Sequence, residues 1–174
     1  PDKYEPSNNN ARQLAKHLRN ALGSDPEGHK LLPEGRNDVG FRIHPAIRSD
    51  WDDFRELIGP DLKITPNEDL IAAIRLVRGQ PLTPARNRRG WWVWRSLLEE
   101  QMIAAVLDAA DELAHRALRH GEIDQARFAA RIAQSADPLN EAGWRLELEA
   151  AMRAGSATEF SRVVDALYAR PGGG

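Results

Sequence analysis

Gly121 and Gly155 stand 34 residues apart, and each ends a long segment with helical apolar spacing. The same offset pairs Ala110 with Trp144, Ala114 with Leu148, Ala117 with Ala151, Leu118 with Met152, and Ala126 with Phe160. Small side chains at matched positions let paired helices approach closely. Glycine at the corner supplies the positive φ that a tight helix end often needs. A repeated helical hairpin cannot bury its apolar face alone, so this pattern demands stacking of one unit on the next.

A period of 34 residues with helix–turn–helix polarity is the tetratricopeptide spacing. The sequence predicts a long helix from about Trp91 to His120, with the apolar stripe Trp94, Leu97, Leu98, Met102, Val106, Ala110, Leu113 and Ala117. Three helices follow, Ile123–Ser135, Asn140–Ala154 and Ala157–Arg170, separated by Asp137-Pro138 and Gly155. Upstream, Ser49 or Asp50 caps a short helix burying Trp51, Phe54, Leu57 and Ile58, ended by Gly59-Pro60. Thr65-Pro66-Asn67-Glu68 reads as a capping box with Pro at the first helical position. It opens a helix burying Leu70, Ile71, Ile74 and Val77, which stops at Gly79. These two helices are expected to cap the repeats or to form an irregular extra pair.

The first fifty residues differ. "NNNARQLAKHLRNALGSD" predicts a helix capped by Ser7 and ended by Gly23. Ala11, Leu14, Ala15, Leu18 and Leu22 share one stripe, and Arg12, Lys16 and Arg19 another. No acid lies between Ser7 and Gly23. Two β-prone runs, Lys30–Leu32 and Gly40–His44, then flank Pro33, Gly35, Asn37 and Asp38, which predicts a hairpin with Arg36 in its tip.

The chain has 174 residues, 41% of them hydrophobic, enough to bury a core without cross-links. It has no cysteine, which excludes disulfides, thiolate metal sites and a cysteine nucleophile. The net charge of −2 excludes a globally basic, nucleic-acid-coating protein, so any DNA contact must be a local patch. No apolar run approaches the roughly 18 residues of a membrane span. The opening PDKYEPSNNN has no signal-peptide core and no initiator Met, so the chain reads as an excerpt of a longer protein. A cytoplasmic location is expected. Five histidines are scattered, and neither a Gly-rich phosphate loop nor G-x-S-x-G occurs. No catalytic residue, metal or cofactor is expected.

Residues from about Trp91 to Ala169 resemble the bacterial transcriptional activator domain, a tetratricopeptide-like module of actinobacterial regulators of the antibiotic-regulatory type. The string "ALRHGEIDQA…DPLNEAGWR…AMRAG" carries most of the likeness. In that family a winged helix-turn-helix domain precedes the helical module. "ARQLAKHLRNALG" is similar to the end of its recognition helix, and "VGFRIHPAIRSDWDDF" to its last strand and the link onward. The family's N-terminal sheet and two earlier helices have no counterpart here.

The resemblance implies a mainly α protein with a partial winged-helix segment, residues 1–48, and a tetratricopeptide-like domain, residues 49–174. It implies duplex DNA as partner through the parent protein. Asn8, Asn9, Asn10, Arg12 and Gln13 would then meet base edges, with Lys16, Arg19 and Arg36 on the backbone. A solvated cationic helix face is the plainer account of the same residues. Trp91, Trp92, Arg88 and Arg89 are candidates for contact with a protein partner or a second copy. Core packing of the tryptophans is the plainer account there. Arg75, Arg78, Arg86, Arg88, Arg89 and Arg95 form an acid-free run, expected to pair with Glu99, Glu100, Asp108, Asp111 and Glu112. The alternative function is an interaction scaffold that binds no DNA, its winged segment only capping the bundle.

Overall fold

The computed structural model describes residues 8–32, 44–82 and 93–169. The chain divides into two compact units, Pro1–Ser49 and Asp50–Gly174. Every regular element among the described residues is helical. The first unit holds α1 (Asn8–Leu22). The second holds α2 (Asp50–Ile58), α3 (Asn67–Arg75), α4 (Val93–His120), α5 (Ile123–Ala136), α6 (Glu141–Arg153) and α7 (Ala157–Tyr168).

In the second unit α4 is the spine. Its 28 residues make a rod about 42 Å long. Gly121 and Glu122 alone separate it from α5, so α5 must turn back along it. α3, α5 and α6 pack on α4, while α2 packs on α3 and α7 on α6. One continuous core joins α2 through α6: Phe54, Leu70 and Ile74 from α2 and α3, Val106 and Leu113 from α4, and Leu146 from α6. Alanines fill the space between α4 and α5, with Ala109, Ala110, Ala114, Ala117, Ala126, Ala129 and Ala130 all fully buried.

The 34-residue offset reappears in the backbone. Gly121 and Gly155 both adopt the left-handed conformation, φ +74° and +67°. Each donates its N–H to the carbonyl three residues earlier, Leu118 at 3.3 Å and Met152 at 3.0 Å. Helices α5 and α7 begin at matching positions, Ile123 and Ala157. Ala117 and Ala151 are both buried, as are Ala129 and Val163. Two expected pairs diverge. Leu118 and Ala126 are buried, whereas Met152 and Phe160 are 67% and 37% exposed. The later hairpin has no described helix stacked beyond it, so the equivalent side chains meet solvent.

Two local expectations need correction. Thr65 does not cap α3: its hydroxyl faces the carbonyls of Ile58 (2.5 Å) and Asp61 (3.1 Å), and Pro66 takes the N-cap position. Leu97 is 57% exposed, and Glu99 is the buried residue of that turn. The rest of the described stripe, from Leu98 and Met102 to Val106, Ala110, Leu113 and Ala117, is half-buried or buried as expected. Lys30 makes an isolated bridge to Ser24, and residues 33–43 of the expected hairpin lie outside the described residues. Of the other arm only His44 is described, and its N–H donates to the Leu31 carbonyl at 2.8 Å. No strand is present among the described residues.

Arg116, on α4, fastens the α2–α3 connection to the spine. Nε donates to Glu112 Oε1 (2.7 Å). One terminal nitrogen donates to the Thr65 carbonyl (2.6 Å) and Asn67 Oδ1 (3.0 Å), the other to the carbonyls of Leu62 (2.6 Å) and Lys63 (2.9 Å). A guanidinium has five N–H donors, and here each has an acceptor. Gly143, in α6, marks a tight helix contact. A Cβ there would sit 2.9 Å from the Gln134 backbone nitrogen and 3.1 Å from Ala133 Cβ.

Two substitutions test this architecture in urea unfolding followed by helical circular dichroism. Arg116→Ala should cost about 3 kcal/mol, with Lys recovering little because an ammonium lacks the planar fork. Gly143→Ala should destabilise by about 1–2 kcal/mol although alanine is the better helix former, because overpacking against backbone outweighs propensity.

Candidate nucleic-acid interface

The first unit is built on α1, which contains no acidic residue. Asn8, Asn9 and Asn10 form its first turn. Arg12, Gln13 and Lys16 are exposed. Arg12 and Lys16, one turn apart, project from adjacent positions of the same face. The third cation of the predicted face has another task. Arg19 is half-buried, and its Nε donates to the Leu32 carbonyl at 2.8 Å. It ties the helix to the turn that follows and does not stand free for a phosphate.

Gly23, at φ +74°, ends α1 with its N–H on the Arg19 carbonyl (3.0 Å) and reverses the chain. The turn is locked by Asp25. One carboxylate oxygen accepts the His29 backbone N–H at 2.7 Å, and the other meets the His29 ring at 3.2 Å. His44 Nε2 approaches the same oxygen to 4.0 Å. Desolvation works to raise the Asp25 carboxyl. The backbone and ring hydrogen bonds from His29, with the charges of His29 and His44, outweigh it and hold the group below its ordinary value. Asp25, Glu27 and His29 are the described residues whose ligating atoms gather within 4.8 Å. Both oxygens of Asp25 already serve the turn, and Glu27 and His29 are exposed, so the cluster is a turn lock. Periodicity in the sequence does not announce it. The only legible signal was an Asp and a His four residues apart beside a Pro and a Gly.

This turn covers little of α1. Ala15 and Leu32 are buried, but Leu14, Leu18 and Leu22 are 61%, 46% and 37% exposed. The predicted apolar stripe is therefore covered at Ala15 and open along its leucine edge.

Comparison with protein-family models, curated protein sequences and solved structures returns no match.

The remaining predicted site residues fall elsewhere. Arg36, Arg88, Arg89, Trp91 and Trp92 lie outside the described residues. In the second unit, most of the arginine run lies outside the described residues, and among those described Asp111 and Glu112 find partners one turn along. They serve their own helix, Asp111 with His115 (3.2 Å) and Glu112 with Arg116 (2.7 Å). Partners one turn away cost no loop ordering, which favours them over distant ones. Arg75 and Arg78 are exposed.

The Asp25 lock carries a pH dependence of definite sign. A carboxyl held below its ordinary value adds stability that is present above the unfolded value of 3.8 and is lost as pH falls through the folded one. Carbon-detected NMR titration should give Asp25 a midpoint below 3.8. Asp25→Asn should loosen the 25–29 turn at neutral pH and remove that acid-dependent step.

Proposed function

We propose that this chain belongs to a transcription regulator, with α1 as its DNA-facing helix and the second unit as a tetratricopeptide-like module for protein contact or self-association. The observation that carries the DNA reading is the acid-free surface of α1, where Arg12, Gln13 and Lys16 stand exposed together. Cations one helical turn apart match phosphate contacts, and an amide beside them matches a base edge. The leucine edge of α1 supports the same assignment, since a helix that reads a groove needs an apolar side by which the rest of its domain holds it.

The recurring corner geometry at Gly121 and Gly155 supports the second half of the proposal. Stacked helical hairpins with small residues at their contacts present extended side-chain surfaces, which suit recognition of another protein. The resemblance to bacterial transcriptional activator domains agrees with this reading and gives it a cytoplasmic setting. No helix among the described residues is long and apolar enough to cross a membrane.

One observation favours the rival reading of a scaffold that binds no DNA. Arg19 holds the Leu32 carbonyl, which leaves Arg12 and Lys16 as the exposed cations of the predicted face. A mobility-shift titration of the whole chain against labelled duplex separates the two. The regulatory reading expects binding that weakens steeply with salt, and a salt slope reduced by about two when Arg12 and Lys16 are both Ala. Undiminished binding in that variant removes α1 as the reader. No binding at low salt leaves the scaffold.

A further inference from the structure

The second unit contains a cavity of about 850 Å³ between α2, the 76–82 segment and α4. Small-molecule sites commonly fall near 300–1,000 Å³. Phe54 and Val106 contribute from the packed core, and Leu76, Val77, Leu82 and Met102 extend the apolar lining. Trp51 and Phe54 stack on each other at 5.4 Å and line one side together. The opposite wall is bent into an unusual shape. Gly79 has φ +134°, and Leu82 has φ +54°, the one non-glycine residue with positive φ among those described. Such a conformation is costly for a side chain larger than glycine and persists where surrounding structure enforces it.

Two charged residues reach the lining, Asp50 and Arg78. Asp50 opens α2, where the positive end of the helix dipole partly offsets its charge. Arg78 is exposed and makes no ion pair or hydrogen bond among the described residues. The cavity thus presents an apolar, partly aromatic interior and one uncommitted guanidinium. A guanidinium fits a carboxylate in a planar, two-pronged contact.

We propose that this cavity is a binding site for a small aromatic carboxylate, its ring system among Trp51, Phe54, Val77 and Met102 and its anionic group on Arg78. The site stands on the second unit alone and does not depend on whether α1 binds DNA.

Calorimetric titration of the whole chain with naphthalene-2-carboxylate, and with the neutral naphthalene-2-carboxamide as its isostere, tests the proposal. One saturable site per chain is expected, with the carboxylate the tighter ligand. Arg78→Gln should weaken the carboxylate about tenfold and leave the amide unchanged. Asp50→Asn should strengthen the carboxylate. Val77→Trp should abolish both by filling the space. If circular dichroism shows that variant unfolded, Met102→Trp takes its place on the facing wall. Absence of saturable binding overturns the proposal and means that the chain fills the space itself. Equal affinity for acid and amide, an Arg78→Gln variant that binds as before, or binding that survives a folded Trp variant would overturn it as well.

Discussion

The architecture of the second unit depends on one guanidinium. Arg116 reaches back about fifty residues to the connection between α2 and α3 and engages three of its carbonyls and one side-chain amide, with Glu112 completing the set. A loop of this kind carries backbone acceptors that no strand or helix satisfies, and burying them without donors is costly. Arg116 supplies the donors from a rigid helix. The connection therefore takes one shape, and α2 and α3 are held to the spine polar end and apolar face together. Phe54, Leu70 and Ile74 can then share a core with Val106 and Leu113. Thr65 completes the arrangement by turning its hydroxyl inward to Ile58 and Asp61. That is why the capping box legible in the sequence is not the one formed. A local motif yielded to tertiary acceptors that were closer to hand.

Helix identity was legible because it rests on local periodicity. Ile123–Ala136 and Glu141–Arg153 lie within a residue of their expected bounds, since Gly121, Asp137-Pro138 and Gly155 are strong punctuation. The contacts that specify the fold were not legible. Nothing in the neighbourhood of Arg116 marks it apart from the other basic residues, because its partners are carbonyls some fifty positions away. Gly143 reads as a weak point in a helix, yet it is where α6 leaves no room for a Cβ against α5. Glu147 stands 34 residues after the fully buried Leu113 and is itself buried, its charge met by Gln134 at 2.6 Å and by Arg162 at 3.5 Å. A pattern of apolar residues cannot announce a buried acid whose partners lie on two other helices.

For α1 the sequence gives charge more readily than commitment. Arg12, Lys16 and Arg19 look equivalent by spacing, but the turn after Gly23 draws Arg19 to Leu32. The turn itself is a small polar device, with Asp25 placed between two histidines and the helix end. Its parts are ordinary loop residues in sequence, and nothing local marks that His44 comes within 4.0 Å of Asp25. The open leucines on the neighbouring edge show that amphipathic spacing predicts which residues seek cover and not which residues find it.

The alanine-lined contact between α4 and α5 has a thermal consequence. Alanine has no rotamers to freeze, so ordering this interface costs almost no side-chain entropy, whereas a leucine or methionine seam would lose freedom at every layer. What such a seam gives up in apolar area it regains in closeness, with backbones near enough for dispersion along the length of α5. Over the length of α5 the packed pair behaves mechanically as one two-stranded rod. Heat would fray it from its outer helices inward, where Met152, Phe160 and Tyr168 already touch water, and not by melting between its two strands.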